Sequence, residues 1–395
     1  MLWKVLSLSL LLWSWFSAGN LWSQEPRLSP SSAELKLEAS VRIALQKGLR
    51  WLKEHQSTDG RWHSEAYGTM SSGVGNTALV LYAMAHLPED EFKQNVDCYQ
   101  RGIAIQTRPL NDDGLIRDSE GAADYPVYAS ALTLSAMKLR PVEVSGGWES
   151  KLVEGLLKAQ RTEANKWRGD SADLGGWGPG FWQAGDPPLP IPANISVTAH
   201  VLETLHFADA LTPEIQASAA NFLSRCQVQQ PNDSTEVGFY FTPQPDHPLN
   251  KAQWHQLPSG KLRANSYHST TCDGVRAIRL CEKAVSEGRR TLMTTALTRL
   301  TPPRLVKNLS ESDDSVDSIL NGLYYYDAAA FAKVWANSPD PRFTEVRQRI
   351  LMTLLEGQQE DGSWSNPLPW MREDDPLIAT PFAMIALSSF LQEEK

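Results

Sequence analysis

The chain has 395 residues, with 37 Lys and Arg against 46 Asp and Glu and a formal net charge of −9. No basic cluster stands out, so nucleic acid and anionic membrane surfaces are poor partners. Of its four cysteines, Cys98, Cys226, Cys272 and Cys281, the last two share one predicted helix about 13 Å apart along its axis, too far to bridge. Free thiols are expected, not a disulfide framework.

Residues Met1 to Gly19 carry Lys4, an apolar run from Val5 to Phe16 and the small residues Ser17-Ala18-Gly19. This is the pattern of a cleaved signal peptide, and the run is short for a membrane span. The expected location is extracytoplasmic, secreted or periplasmic, with no integral membrane span in the mature chain. Residues 20–38 read as a linker and residues 39–392 as one body.

The body opens with a segment that later recurs. Gly48-Leu49-Arg50-Trp51-Leu52 reads as a helix end, and Gln56 is followed by the turn Asp59-Gly60-Arg61-Trp62. Further glutamine anchors stand at Gln106, Gln160, Gln227 and Gln358, and a degraded copy is expected near Leu292 to Pro302. Glycine turns follow at Asp113-Gly114-Leu115, Gly176-Trp177, Gly238-Phe239 and Asp361-Gly362-Ser363-Trp364; the fifth unit lacks one. Six units of about 50 to 67 residues signal a stacked or closed repeat architecture.

Each unit adds a second helix, such as Asn76 to Met84, Ser196 to Leu205, Ser269 to Lys283 and Tyr324 to Trp335. These are apolar on most sides, as buried helices are, whereas the first helices are amphipathic. Gly178 to Ala193 and Thr242 to Ala264 read as long loops.

The spacing Gly48-x-x-Trp51-Leu52-x-x-x-Gln56-x-x-x-Gly60-x-Trp62 resembles the QW repeat of squalene-hopene cyclases and protein prenyltransferase β subunits. The resemblance implies an all-α fold, an (α/α)6 toroid with inner and outer helical rings, and a hydrophobic, isoprenoid-type ligand in its central cavity. The cyclases protonate their substrate from an Asp-x-Asp-Asp-Thr-Ala motif. Here Thr77-Ala78 follows Gly73-Val74-Gly75-Asn76, and Thr198-Ala199 follows Asn194-Ile195-Ser196-Val197, with no carboxyl group in either. Protonating an alkene needs a carboxylic acid held protonated, so cyclase activity is expected to be degenerate. The prenyltransferases hold zinc with an Asp-x-Cys pair and a histidine. Ser266 to Gly274 resembles the histidine segment, making His268 and Cys272 candidate ligands. No Asp-x-Cys occurs on the preceding inner helix, so neither a metal nor another cofactor is expected.

In such a ring all inner helices start at one rim, and helix N-termini favour anionic ligands. Chemistry is therefore expected there. The candidate catalytic carboxylates are Asp273, Asp327 and Asp374, and the candidate ligand contacts are His200, Tyr267, His268, Tyr324 and Tyr325. The acidic clusters Asp313-Asp314-Ser315-Val316-Asp317 and Glu373-Asp374-Asp375 also read as solvated loops or helix caps. Two other readings stay open: a polysaccharide hydrolase or lyase with a carbohydrate ligand, and a non-catalytic interaction scaffold. A closed apolar pocket favours the isoprenoid reading, a cleft with carboxylates about 5.5 to 9.5 Å apart the hydrolase, and a filled centre the scaffold.

Overall fold

The computed structural model describes residues 32–391 except 109–110, 119–124, 145, 181–190, 229–237, 257–258, 261, 283–286, 301, 307–315, 337 and 339. The signal-like segment, Asp313, Asp314 and most of the Gly178 to Ala193 loop lie outside the described residues. Among those described, the helices in chain order are α1 (Ser32–Glu54), α2 (Val74–Ala85), α3 (Glu89–Lys93), α4 (Val96–Gln106), α5 (Pro126–Leu139), α6 (Trp148–Ala159) and α7 (Ile195–Phe207). There follow α8 (Pro213–Cys226), α9 (His268–Cys281), α10 (Glu287–Arg299), α11 (Val316–Asn321), α12 (Tyr324–Trp335), α13 (Pro341–Glu356) and α14 (Pro376–Leu391). One antiparallel hairpin, β1 (Trp254–Gln256) with β2 (Leu262–Ala264), pairs Trp254 with Ala264 inside the second long loop. Helix α1 begins seven residues earlier than Ala39, so residues 32–38, expected as linker, are helical.

Helices α2, α5, α7, α9, α12 and α14 each touch the next, and α14 touches α2, which closes an inner ring. Helices α1, α4, α6, α8, α10 and α13 pack outside it. The fold is thus the expected all-α toroid. Composition explains the layering: every residue of α2 is buried, whereas α1 buries Val41, Leu45, Leu49 and Leu52 at helical spacing and exposes Lys47, Arg50 and Lys53.

The repeated residues make the joints between units. Trp62, Trp177 and Trp364 are wholly buried, and each indole N–H donates at 2.7 Å to the preceding helix, at Leu52, Leu156 and Leu354 respectively. Their backbone N–H groups donate to Thr77, Thr198 and Thr380 at 3.0 to 3.1 Å. The Thr-Ala pairs therefore have a structural task, tying each turn to its inner helix. Gln56 donates to its own turn at Gly60 (2.9 Å) and across to Cys98 of α4 (3.0 Å). Gln358 does the same to Gly362 (2.9 Å) and to Ala44 of α1 (2.8 Å), so the last turn docks on the first helix. Gly362 has φ of 97°, and a Cβ there would lie 2.6 Å from the Lys47 carbonyl oxygen, which is why this turn needs glycine. All four cysteines are free thiols.

Candidate functional site

Ring closure brings one polar residue after another to a common axis. Tyr82 of α2, Glu203 of α7, Arg276 of α9 and Lys333 of α12 meet there although each sits in a mostly buried helix. Glu203 accepts from the Tyr82 hydroxyl and from Lys333 Nζ, both at 2.6 Å, and lies 3.7 Å from Arg276. Arg276 also pairs with Asp273 at 3.0 Å, and Tyr326 donates to Asp273. His200 Nε2 lies 3.4 Å from the Tyr128 hydroxyl. These side chains leave a void of only about 10 Å³, too little for more than about one water. Among the described residues, this stretch of the axis is closely packed.

Electrostatics inside this plug follow from burial and three neighbouring charges. Burial opposes ionisation of Glu203, but Lys333 and Arg276 carry its carboxyl well below the usual carboxylate range. Burial, then the Arg276 charge, lowers the Lys333 amine to about 8. Burial, Arg276 and Lys333 hold His200 neutral, and burial raises Asp273 against the pull of Arg276.

Among the described residues, open space is found at the rim where inner helices end, and a smaller hollow of about 190 Å³ lies beside the start of α5, lined by Val127, Arg161 and Gly178. A cleft of about 500 Å³ opens where inner helices end, lined by His86, Leu139, Phe207, Arg279, Lys333 and Trp335 among others. Lys333 and Glu203 form the partition between this cleft and the axis. Its wall is held by stacking: Trp335 lies on Phe343 at 4.3 Å, and the Arg279 guanidinium sits 4.7 Å over the Trp335 ring and donates to the Val334 carbonyl. His86 Nδ1 donates to the Tyr82 carbonyl at 2.8 Å, and burial, then Lys333, lowers the imidazole to about 4. Cations suit this rim, because helix C-termini present carbonyl groups and partial negative charge.

Each carboxylate expected to do chemistry is engaged by a neighbouring side chain. Asp327, in the first turn of α12, accepts from His268 Nδ1 at 2.8 Å, and both are buried. Asp374 accepts from the Tyr67 hydroxyl at 2.5 Å, and Asp375 caps α14 through Leu377 N–H at 2.9 Å. Glu373 accepts from the Tyr325 and Tyr326 N–H groups at 2.9 and 2.7 Å and is 1% exposed, so it is a buried cap rather than part of a solvated loop. Asp273 belongs to the axial plug. The three candidates thus sit in three separate local arrangements.

Of the expected ligand contacts, only His200 reaches the axis. Tyr267 is a buried residue at the start of α9, and Tyr324 and Tyr325 pack in the core, where the Tyr325 hydroxyl donates to the Ser365 carbonyl. The third tyrosine of that run, Tyr326, faces the axis instead. Cys272 Sγ lies 4.0 Å from His268 Nδ1, a nitrogen already committed to Asp327, and burial raises the thiol well above its ordinary range. Among the described residues no group of three His, Cys, Asp or Glu side chains is placed to hold a metal ion. Nor is any described helix long and apolar enough to cross a membrane.

Glu373 gives a pH signature. Burial pushes its carboxyl up to about 8 although two backbone N–H groups pull it down. A raised folded value means stability present below about pH 4.5, the unfolded value, and lost as pH rises toward 8. His86 and His200, held below their ordinary values, add stability as pH rises to about 6.5, so the signature is a difference. Across pH 5 to 8 the parent protein is expected to lose thermal stability relative to Glu373→Gln, and equal slopes for the two proteins would contradict the assignment.

No protein-family model matches the sequence, and no curated protein matches it. Solved structures do match. The type II terpene cyclase MstE from Scytonema, as a variant in complex with geranylgeranyl dihydroxybenzoate, aligns with a TM-score of 0.54 at 13% identity, covering 90% of this chain and 98% of that one. Its apo form gives 0.53 at 14% identity over 89% and 98%. A protein from Actinoplanes gives 0.51 at 18% identity over 89% of this chain and 100% of its own. The architecture is therefore a toroid of the terpenoid-cyclase type.

Proposed function

We propose that this chain is an extracytoplasmic ligand-binding toroid that takes an amphipathic, isoprenoid-type molecule in the cleft at the C-terminal ends of its inner helices. The observation that carries this reading is the cleft itself. Its volume of about 500 Å³ is in the usual range for small-molecule sites, Leu139, Phe207 and Trp335 offer apolar wall, and Lys333 and Arg279 offer a cationic end. The similarly folded MstE structure holds geranylgeranyl dihydroxybenzoate, an isoprenoid chain on an aromatic acid, which has the same division. Proton-driven cyclisation is not part of the proposal, because Asn194 caps α7 through Val197 N–H, Thr77 and Thr198 hold turn tryptophans, and none of these is an acid.

Calorimetric titration with geranylgeranyl dihydroxybenzoate, farnesol and a malto-oligosaccharide tests it. Both isoprenoids are expected to bind and the sugar not to. Removing the Phe207 ring by Phe207→Ala is expected to weaken isoprenoid binding about tenfold, the effect of about 1.4 kcal/mol of lost apolar contact. Sugar binding alone would favour the hydrolase reading. A second reading rests on the close packing of the axis around Arg276 and Lys333, which suits a non-catalytic scaffold; a folded protein that binds none of the three would favour it.

A further inference from the structure

Lys333 stands out in the molecule as a nucleophile at the boundary between a buried network and open space. Its side chain is 8% exposed, yet it lines the cleft. Glu203 Oε2 at 2.6 Å and the Tyr82 hydroxyl hold its amine in one position. Such fixing is what an intramolecular-like reaction needs. Resting on the cleft-binding reading above, we propose that Lys333 is a covalent attachment point for a carbonyl-bearing isoprenoid, its ε-amine condensing with an aldehyde to an imine.

The step balances without oxidant or reductant. The neutral amine nitrogen forms a bond to the carbonyl carbon, and the carbonyl oxygen takes a proton from that nitrogen, with the Tyr82 hydroxyl placed to relay it. The carbinolamine then loses its hydroxyl and the remaining nitrogen proton as water, leaving C=N. Glu203 stands beside the nitrogen as counter-ion whenever the imine is protonated.

Only the neutral amine attacks, so its environment decides the rate. Ionisable groups surround Lys333 from several helices: Tyr82 and His86 from α2, Glu203 and His200 from α7, Asp273, Arg276 and Arg279 from α9, and Tyr326 from its own helix, with Tyr128 of α5 beyond His200. Helix α14 contributes Phe382, Ile385 and Ser389, none of which titrates. The two histidines are held neutral and Glu203 ionised, so the amine is left as the group that changes charge in mildly basic solution. With the amine at about 8, about half is neutral at pH 8, against about 0.3% for a solvated lysine.

The test is reductive trapping on the full-length protein. Farnesal and cyanoborohydride are added at pH 7 and pH 8, and adducts are mapped by peptide mass spectrometry. Addition is expected at Lys333 in at least about tenfold excess over any other lysine, and about fivefold slower at pH 7 than at pH 8. Lys333→Arg keeps the cation beside Glu203 and is expected to remove the adduct. Labels spread evenly over surface lysines, or none at Lys333 under saturating farnesal, would overturn the proposal. Farnesol binding without trapping defeats the imine and leaves the cleft reading standing; loss of both defeats the two together. A purely structural Lys333 would show no selective adduct.

Discussion

Glu203→Gln is expected to destabilise the folded ring by about 3 to 5 kcal/mol, because it breaks a buried charge network by removing one partner. The carboxylate is the common acceptor for Tyr82 and Lys333 and lies within reach of Arg276. Once it is neutral, two buried cations are left with Asp273 as their remaining close anion, and desolvation of the charges is no longer offset. The double variant Glu203→Gln with Lys333→Met is expected to recover part of the loss, since it removes a charge of each sign; recovery of nothing would mean that the two groups do not act as a pair. Acid denaturation gives an independent readout. Glu203 is held well below its ordinary value of 4.5, so its stabilisation is complete above that pH and lost as pH falls beneath it. Urea unfolding should therefore show a shallower acid limb for Glu203→Gln than for the parent protein. Parallel limbs would show that the carboxyl does not carry the charge assigned to it.

This network also shows where reading from sequence succeeded and where it stopped. The ring was legible because the repeat residues do short-range jobs with fixed geometry: Trp62 reaches back to Leu52, and Gln56 spans its own turn and the next helix. Such joints recur at Trp177 and Trp364 and imply a curved body, and the Thr-Ala pairs at Thr77 and Thr198 mark where two of the turns meet their inner helices. The site was not legible in the same way. The convergence of inner-helix starts placed the expected chemistry at that rim, and the acidic cluster there supplies caps, one of the readings the sequence allowed: Glu373 and Asp375 are drawn by unpaired N–H groups and the positive helix end. The available signal was different: Glu203 is the lone acid of Ile195–Phe207 and Lys333 the lone cation of Tyr324–Trp335. A charge inside an otherwise apolar inner helix must find a buried partner. Phase was the other gap. Successive residues turn by about 100° around a helix, so Tyr324, Tyr325 and Tyr326 cannot share one direction; packing against α9 and α14 chose Tyr326 for the axis.

Trp364→Ala is expected to be more disruptive than the chemically identical changes at Trp62 or Trp177, although all three rings are wholly buried. Removing a buried tryptophan costs about 3 to 5 kcal/mol wherever it packs. The difference lies in what each ring joins. Trp62 and Gln56 link neighbouring units, and the Gln56 bond to Cys98 spans 42 residues. Trp364 lies against Gly48 of α1, where an added Cβ would come within 2.8 Å of the ring, and the companion Gln358 bond to Ala44 spans 314 residues. An internal joint that loosens is still held by the short chain around it. The seam between α14 and α1 has no such tether, because closing so long a loop has a large entropic cost that only the seam contacts repay. Opening there frees α1 without unfolding the rest, which predicts a local rather than a global defect. Hydrogen exchange is the measurement. In Trp364→Ala the amides of residues 41–54 should lose protection by a factor of at least about one hundred while those of α5 and α7 keep theirs, the equivalent of about 2.7 kcal/mol concentrated on one helix. Trp177→Ala should loosen its own neighbours and leave α1 protected. Uniform loss of protection in both variants would mean that the ring opens as one unit and that its seam has no special standing.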